Sequence, residues 1–287
     1  MTYVSTGGFH DRAGDAVSTE LLSAGMPFIE LSGGAYSETL LRDLQALTPA
    51  AHFQIHNYFP PPPDPFVFNL ASLDTVIGER SISHVEQALR WCVALGADRY
   101  SFHAGFLLDP KLDELGNRIP NRSLFDRDRC IEVFVSRVCR LNETAESLGI
   151  TLMIENNVLS ARNALEFPDN PLLMCDPLEC QQILGLLPQR VGQLIDVAHL
   201  KVSANSLHFD PVGMFDECHE RITGYHLSDN DGREDSNQPF DEDAWFWPHL
   251  KSDVDYVSIE VYGCGMHQLK QQQELSESKR QPQPCHQ

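Results

Sequence analysis

The sequence predicts a single-domain α/β protein closed into a (β/α)8 barrel. Short apolar runs alternate with longer helical stretches, and eight such runs are found across 287 residues. No glycine fingerprint of the GxGxxG kind follows an early strand. Alternation of this sort makes parallel βαβ units, and eight of them close naturally into a ring. The missing fingerprint counts against an open doubly wound sheet, the competing architecture.

The expected strands are Val4–Thr6, Phe28–Leu31, His52–His56, Arg99–His103, Thr151–Ile154, Gln193–Ile195, Thr223–Leu227 and Tyr256–Val261, the first being the weakest. The clearest helix is Asp126–Leu148. There Ile131, Val135, Val138, Leu141, Ala145 and Leu148 recur at spacings of three and four, and Gly149 reads as its C-terminal cap. Similar patterns cover Glu38–Leu47, Ile82–Leu95 before Gly96, and Pro177–Leu187. Pro60-Pro61-Pro62-Pro63-Asp64-Pro65 cannot be helical and is expected to form a stiff loop over the barrel top. The barrel domain is placed at residues 1–267. Residues 268–287, rich in Gln, Ser, Lys and Pro, are expected to be a flexible polar tail or a short helix then a tail.

Composition excludes some functions. With 21 Lys+Arg against 41 Asp+Glu the formal charge is −20, which opposes a nucleic-acid binder, since such a protein must replace counterions on a phosphate backbone. No apolar run approaches the roughly 20 residues of a membrane span, and no signal peptide is read at the start. The 8 Cys form no CxxC pair, so reduced thiols in a cytoplasm are expected. Cys175 and Cys180 lack the second pair that a zinc site would need. The sequence leaves homo-oligomerisation open.

The informative feature is what ends each strand. His56 ends the third, His103 the fourth and Glu155 the fifth. Asp196 ends the sixth with His199 three residues on, His226 lies on the seventh and Glu260 on the eighth. In a barrel these ends converge on one face, where barrel enzymes keep their chemistry. Burying three carboxylates together costs several kcal/mol each unless a cation compensates them. Acids mixed with imidazoles therefore point to a divalent metal, Mn2+ or Zn2+ first, with Mg2+, Co2+ and Fe2+ also compatible. Asp229 and Asp231 read as a solvated turn closed by Gly232. Tyr58, Phe59, Phe106, Trp245, Phe246 and Trp247 are candidates to stack on a sugar face, with helix packing the competing reading for the Trp residues. Gly33-Gly34 offers a phosphate only weak encouragement.

In this order and spacing, Ile154–Asn156 (IEN), Ile195–His199 (IDVAH), His226–Gly232 (HLSDNDG) and Ile259–Val261 (IEV) resemble the xylose-isomerase-like TIM barrel superfamily over about residues 1 to 265. That superfamily groups sugar isomerases and epimerases, hydroxypyruvate isomerase, inosose dehydratase and the endonuclease IV branch. The resemblance to the epimerases implies metal ligands at Glu155, Asp196, His226 and Glu260, with His199 touching substrate. Arg233 stands in the region of a substrate-contacting Arg. The resemblance to endonuclease IV implies further metal ligands at His56, His103 and His199. Asp235-Ser236-Asn237 matches that branch's Asp-x-His element with Asn in place of His, a departure at its third metal site.

The expected activity is proton-transfer isomerisation or epimerisation of a small carbohydrate or related hydroxy-carbonyl compound. Glu155 and Glu260, from opposite sides of the ring, would act as the acid/base pair. His56, His103 and His199 would hold substrate hydroxyls, or the first two a second metal. A metal-dependent phosphodiester hydrolase, a dehydratase using the same proton abstraction, and a barrel that binds without turnover are the rival readings.

Overall fold

The computed structural model describes residues 1–280. Strands β1 (Tyr3–Ser5), β2 (Phe28–Ser32), β3 (His52–His56), β4 (Arg99–His103), β5 (Thr151–Glu155), β6 (Gly192–Asp196), β7 (Ile222–Leu227) and β8 (Tyr256–Ile259) form a closed barrel in sequence order. Every neighbouring pair is parallel, and β8 returns to β1 through Tyr3↔Ser258 and Val4↔Ile259. The helices between and after them are α1 (Gly14–Ser23), α2 (Leu40–Leu47), α3 (Thr75–Leu95), α4 (Arg127–Ser147), α5 (Ala161–Glu166), α6 (Pro177–Leu186), α7 (Val197–Leu207), α8 (Val212–Glu217) and α9 (Met266–Arg280). The expected (β/α)8 TIM barrel is thus the observed fold. No helix of the described residues is long and apolar enough to cross a membrane.

Side chains alternate along each strand, as the two-residue period requires. Ile29, Leu31, Phe53, Ile55, Leu152, Ile154, Tyr225 and Val257 belong to the main core, which joins the strands to the surrounding helices. The intervening residues form different groups. Met153, Leu194 and Tyr256 make a small separate plug with Tyr3. Glu30, His56, Glu155, Asp196, His226 and Glu260 are buried polar groups above it. The apolar core therefore lies mainly outside the ring, and the upper interior is left to charged side chains.

Caps set the long helices. Asp126 accepts from the Arg129 amide at 2.9 Å to start α4, and Gly149 follows in a left-handed conformation with φ 73°. Helix α3 starts at Thr75, earlier than the expected Ile82, because Asp74 accepts from Val76 N–H at 2.7 Å and Ile77 N–H at 3.2 Å. Its first turns escape the apolar periodicity: Val76 is exposed, and Gly78 makes room for Arg137, which donates to the Leu70 and Ser72 carbonyls at 2.9 and 2.7 Å.

Of the two forms expected for residues 268–287, the structure shows the helix as far as Arg280: it belongs to α9, with Leu269, Gln272, Gln273 and Ser276 buried on one face. That face is polar, so hydropathy does not reveal it. Gln272 exchanges hydrogen bonds with the backbone of Phe240 at 2.9 and 3.0 Å, and Gln273 donates to the Thr2 carbonyl at 2.7 Å. Residues 281–287 of that expected tail, with Cys285, lie outside the described residues.

The Pro-rich stretch after β3 is a loop, as expected, and its preceding Asn57 has φ 47°. His84 of α3 backs it, stacking on Tyr58 with centroids 5.2 Å apart and facing the Asn57 carbonyl through Nε2 at 3.3 Å. Burial pushes this imidazole down from its ordinary 6.5 to about 4, against the weaker pull of the Asn57 carbonyl. Below about pH 6.5 the unfolded chain binds a proton here that the folded chain refuses until about pH 4. Stability therefore falls as pH drops through that window, by of order 3 kcal/mol. In urea titrations His84→Gln is expected to lose correspondingly less stability than the wild type on acidification. Equal losses would remove His84 as the source.

Candidate metal centre and active-site cavity

The ends of β3 to β8 deliver their polar side chains to one place. Glu155 is fully buried, and His226 Nδ1 stands 3.1 Å from its Oε1, 3.3 Å from Glu260 Oε2 and 3.9 Å from Asp196 Oδ2. One donor atom from each of Glu155, Asp196, His226 and Glu260 lies within 4.8 Å of the others. A second donor set shares Glu155: His56 Nε2 and His103 Nδ1 each stand 3.3 Å from its Oε2.

Neighbouring backbone holds these groups in place. Asp196 caps α7, accepting from the His199 amide at 2.8 Å through Oδ1, which leaves Oδ2 pointing elsewhere. The next residue on β5, Asn156, clasps the Asp196 backbone, accepting from its N–H at 2.9 Å and donating to its carbonyl at 3.1 Å. His199, in the first turn of α7, lies between the Asn156 carbonyl (3.1 Å from Nδ1) and Asp235 Oδ2 (3.1 Å from Nε2). Tyr262 donates to Glu260 Oε1 at 2.9 Å.

The electrostatics are those of a cluster with excess negative charge. Burial raises the Glu155 carboxyl, but the His103, His56 and His226 imidazoles overcome this and hold it well below the carboxylate range. Glu260 is likewise held down to about 2, with His226 the main force opposing its burial. Asp196 goes the other way: burial, helped by Glu155 and Asp235, pushes it up to about 7. Burial disfavours the charged form of His226, yet Glu30, Glu155 and Glu260 keep its pKa well above the ordinary value. His103, mainly through burial, falls to about 4.

The donor set fits a divalent ion. Asp196 Oδ2 is buried without a hydrogen-bond partner, and Glu155 Oε2 has only the two imidazoles at 3.3 Å, neither in hydrogen-bond geometry, a costly state that a cation would relieve. Mixed carboxylate and imidazole donors suit Mn2+ and Zn2+, with Mg2+, Fe2+ and Co2+ also accommodated.

Two groups central to this arrangement were not singled out from the sequence. Glu30, in the middle of β2, stands 2.7 Å from His226 Nε2 through Oε2, and the Tyr256 hydroxyl donates to the same oxygen. Glu30 lies inside its strand, so attention to strand ends passes it over. The available signal is a Glu within the apolar run FIEL. Asn156 appears in the IEN stretch, but its clasp on Asp196 spans 40 residues and two strands.

Other expectations resolve individually. Asp235 reaches His199, but Arg233 is exposed: its amide donates to Asp231 Oδ1 and its carbonyl accepts from Ala161, which ties the loop down and leaves the guanidinium outside. Asp229 pairs with Lys201 Nζ at 2.6 Å, so the HLSDNDG acids serve the turn. Cys175 and Cys180 are buried thiols, outside every potential metal group of the described residues. Gly34, at φ 103°, lets the loop approach the Arg12 carbonyl, which an added Cβ would meet at 2.8 Å. Trp245, Phe246 and Trp247 pack against Phe215 and Phe240. Phe59 is buried against Trp91. Tyr58 and Phe106, by contrast, line a cavity of about 400 Å3 that reaches the cluster at His103, His199 and Asp235.

This ring of strands with acids and imidazoles at its carboxyl end defines a class. The chain belongs to the xylose isomerase-like TIM barrel family, whose model matches residues 19–270. Solved structures of similar fold include a D-tagatose 3-epimerase-like protein, 15% identical with a TM-score of 0.70 and 97% of both chains covered. The TTHB071 protein from Thermus thermophilus, soaked with ZnCl2, is 19% identical with a TM-score of 0.63, covering 97% of this chain and 99% of its own. The 3-keto-D-glucoside 4-epimerase YcjR from E. coli is 12% identical with a TM-score of 0.68, covering 98% of this chain and all of its own (100%). No curated relative matches the sequence.

The His226–Glu30 contact predicts a measurable effect on metal binding. A carboxylate behind a ligating imidazole typically accounts for about 10- to 100-fold in metal affinity. Glu30→Gln is therefore expected to weaken Mn2+ or Zn2+ binding by about that factor in chelator competition, with the circular dichroism spectrum unchanged. Affinity unaltered by the substitution would take Glu30 out of the site.

Proposed function

We propose that this protein is a divalent-metal-dependent sugar isomerase or epimerase, acting by proton transfer on a carbohydrate or related hydroxy-carbonyl compound. The observation that carries this reading is the convergence of Glu155, Asp196, His226 and Glu260, one donor each within 4.8 Å, at the mouth of the barrel. Structural similarity to a D-tagatose 3-epimerase-like protein, to a 3-keto-D-glucoside 4-epimerase and to a protein soaked with zinc supports it.

Those four residues would hold the ion. When bound, it would polarise a substrate carbonyl and adjacent hydroxyl and ease the build-up of negative charge on their oxygens. Glu155 and Glu260 approach from strands three apart in the ring. One carboxylate removes the proton from the hydroxyl-bearing carbon beside the carbonyl, and the other returns a proton to its opposite face. Asp196 and His226 keep to ligation, each held by the contacts described above. His199, held between the Asn156 carbonyl and Asp235, lines the cavity with His103, and these imidazoles, with His56 behind them, would surround the substrate hydroxyls. Cytoplasmic localisation and Mn2+ or Zn2+ as the resident ion belong to this proposal.

The second donor set, His56, His103 and Glu155, favours a rival, a two-metal phosphodiester hydrolase. Against it, no Lys or Arg lines the cavity among the described residues, and the chain carries a charge of −20.

Incubating the metal-loaded protein with a ketose panel in D2O is expected to place deuterium at the carbon beside the carbonyl. Glu155→Gln and Glu260→Gln should each lower that exchange by about 10^2- to 10^4-fold or more. Wild-type exchange in either variant would remove that residue's proton-transfer role. Cleavage of abasic DNA without any exchange would establish the hydrolase instead.

A further inference from the structure

The cavity beside the metal centre differs sharply from end to end. At the inner end stand His103 and Asp235, whose Nδ1 and Oδ1 are buried without hydrogen-bond partners. The outer wall is apolar: Tyr58, Phe66, Phe68 and Phe106, with Leu115 and Ile119. Two loops supply it, one between β3 and α3 and one between β4 and α4. The second carries a short turn, Leu112–Glu114, that leaves Leu112 50% and Leu115 41% exposed at the rim.

Several of the polar groups in this wall are already engaged. Asn157 donates to the Gly105 and Leu173 carbonyls at 3.0 and 2.8 Å. Asn163 donates to the Asn117 carbonyl at 3.1 Å and accepts from the Ile119 amide at 2.9 Å. Glu114 is paired with Arg122 at 2.7 Å, and the Tyr58 hydroxyl accepts from the Phe66 amide at 2.7 Å. A free sugar ring placed against the aromatic and aliphatic side chains would surrender its water and recover few of those hydrogen bonds. Among the described residues the lining contains no Lys or Arg, and its aromatic and aliphatic wall offers no cation to a phosphate.

We infer that the substrate is amphiphilic: a hydroxy-carbonyl headgroup seated at the metal centre, bearing an uncharged apolar substituent, alkyl or aromatic, that lies along this wall. The inference rests on the proposed metal-dependent reading of the same site and adds the chemistry of the substrate's other end. The exposed leucines at the rim are then surface that the bound substituent covers.

Acyl hydroxamates test this directly, because they present two adjacent oxygens to a metal as a hydroxy-carbonyl compound does, with a tail of chosen length. Calorimetric titration of the Mn2+-loaded and the Zn2+-loaded protein with acetyl, butanoyl and hexanoyl hydroxamate is expected to show affinity rising about three- to fourfold per added methylene. Phosphonoacetohydroxamate should bind no tighter than the acetyl compound. Phe106→Ser should flatten the rise, and so should the double substitution Leu112→Ser/Leu115→Ser, placed at exposed positions where folding is not at stake. Affinity independent of chain length, or a full rise in both variants, would overturn the inference while acetyl binding upheld the metal centre. Tighter binding of the phosphonate would overturn it by showing an anionic substrate. Failure of the acetyl compound to bind either form would overturn the metal reading and this inference with it.

Discussion

Buried negative charge at the carboxyl end of the barrel is the constraint on which the remaining structure depends. Glu30, Glu155, Asp196 and Glu260 lie at 0 to 5% exposure within one ring, beside His56 and His226, which are buried as deeply. Carboxylates in such a place repel one another and lose their water, so they persist only with compensating positive charge and rigid support. A divalent ion at the shared focus would supply that charge, with His226 ligating as the neutral imidazole. The apolar core carries the fold from outside the ring, which frees the interior positions for chemistry.

Rigidity comes from pairs of contacts that each serve two purposes. Asp196 caps α7 and presents its other oxygen to the cluster, so the helix start and the position of that oxygen are set together. Asn156 locks β5 to β6 through the Asp196 backbone. Glu30 and Tyr256 lie just below the cluster and support His226 from beneath, fixing which ring nitrogen faces the carboxylates. A centre built this way would need little rearrangement to receive an ion.

The loops give the site its other character. Strands bring the acids and imidazoles together, whereas the β3–α3 and β4–α4 connections add aromatic and aliphatic side chains around the adjoining cavity. This division, with chemistry on strand ends and selectivity on loops, lets one barrel serve many substrates. Here it joins a highly charged floor to an apolar wall.

Much of this was legible in the sequence. Strand ends were readable because a polar residue closing an apolar run stands out, and in a closed parallel ring all such ends share one face; hence His56, His103, Glu155, Asp196, His226 and Glu260 could be named together, and only the resemblance to the epimerases set four of them apart. The long helices followed from their three-and-four spacing and from Gly96 and Gly149 after them. Less visible was whatever depends on partners far along the chain. Glu30 matters because β7 brings His226 to it, 196 residues away. The face of α9 is buried although polar, because Gln272 and Gln273 find backbone groups on remote segments. Arg233 lies beside the right strand yet points to solvent, since a local turn sets its direction. The sequence by itself determined the period of the strands and the chemical type of each strand end, both of which are local properties. Only the tertiary structure decided which of those groups meet and how the loops enclose the space beside them, because distances across a barrel are set by ring closure and packing rather than by separation along the chain.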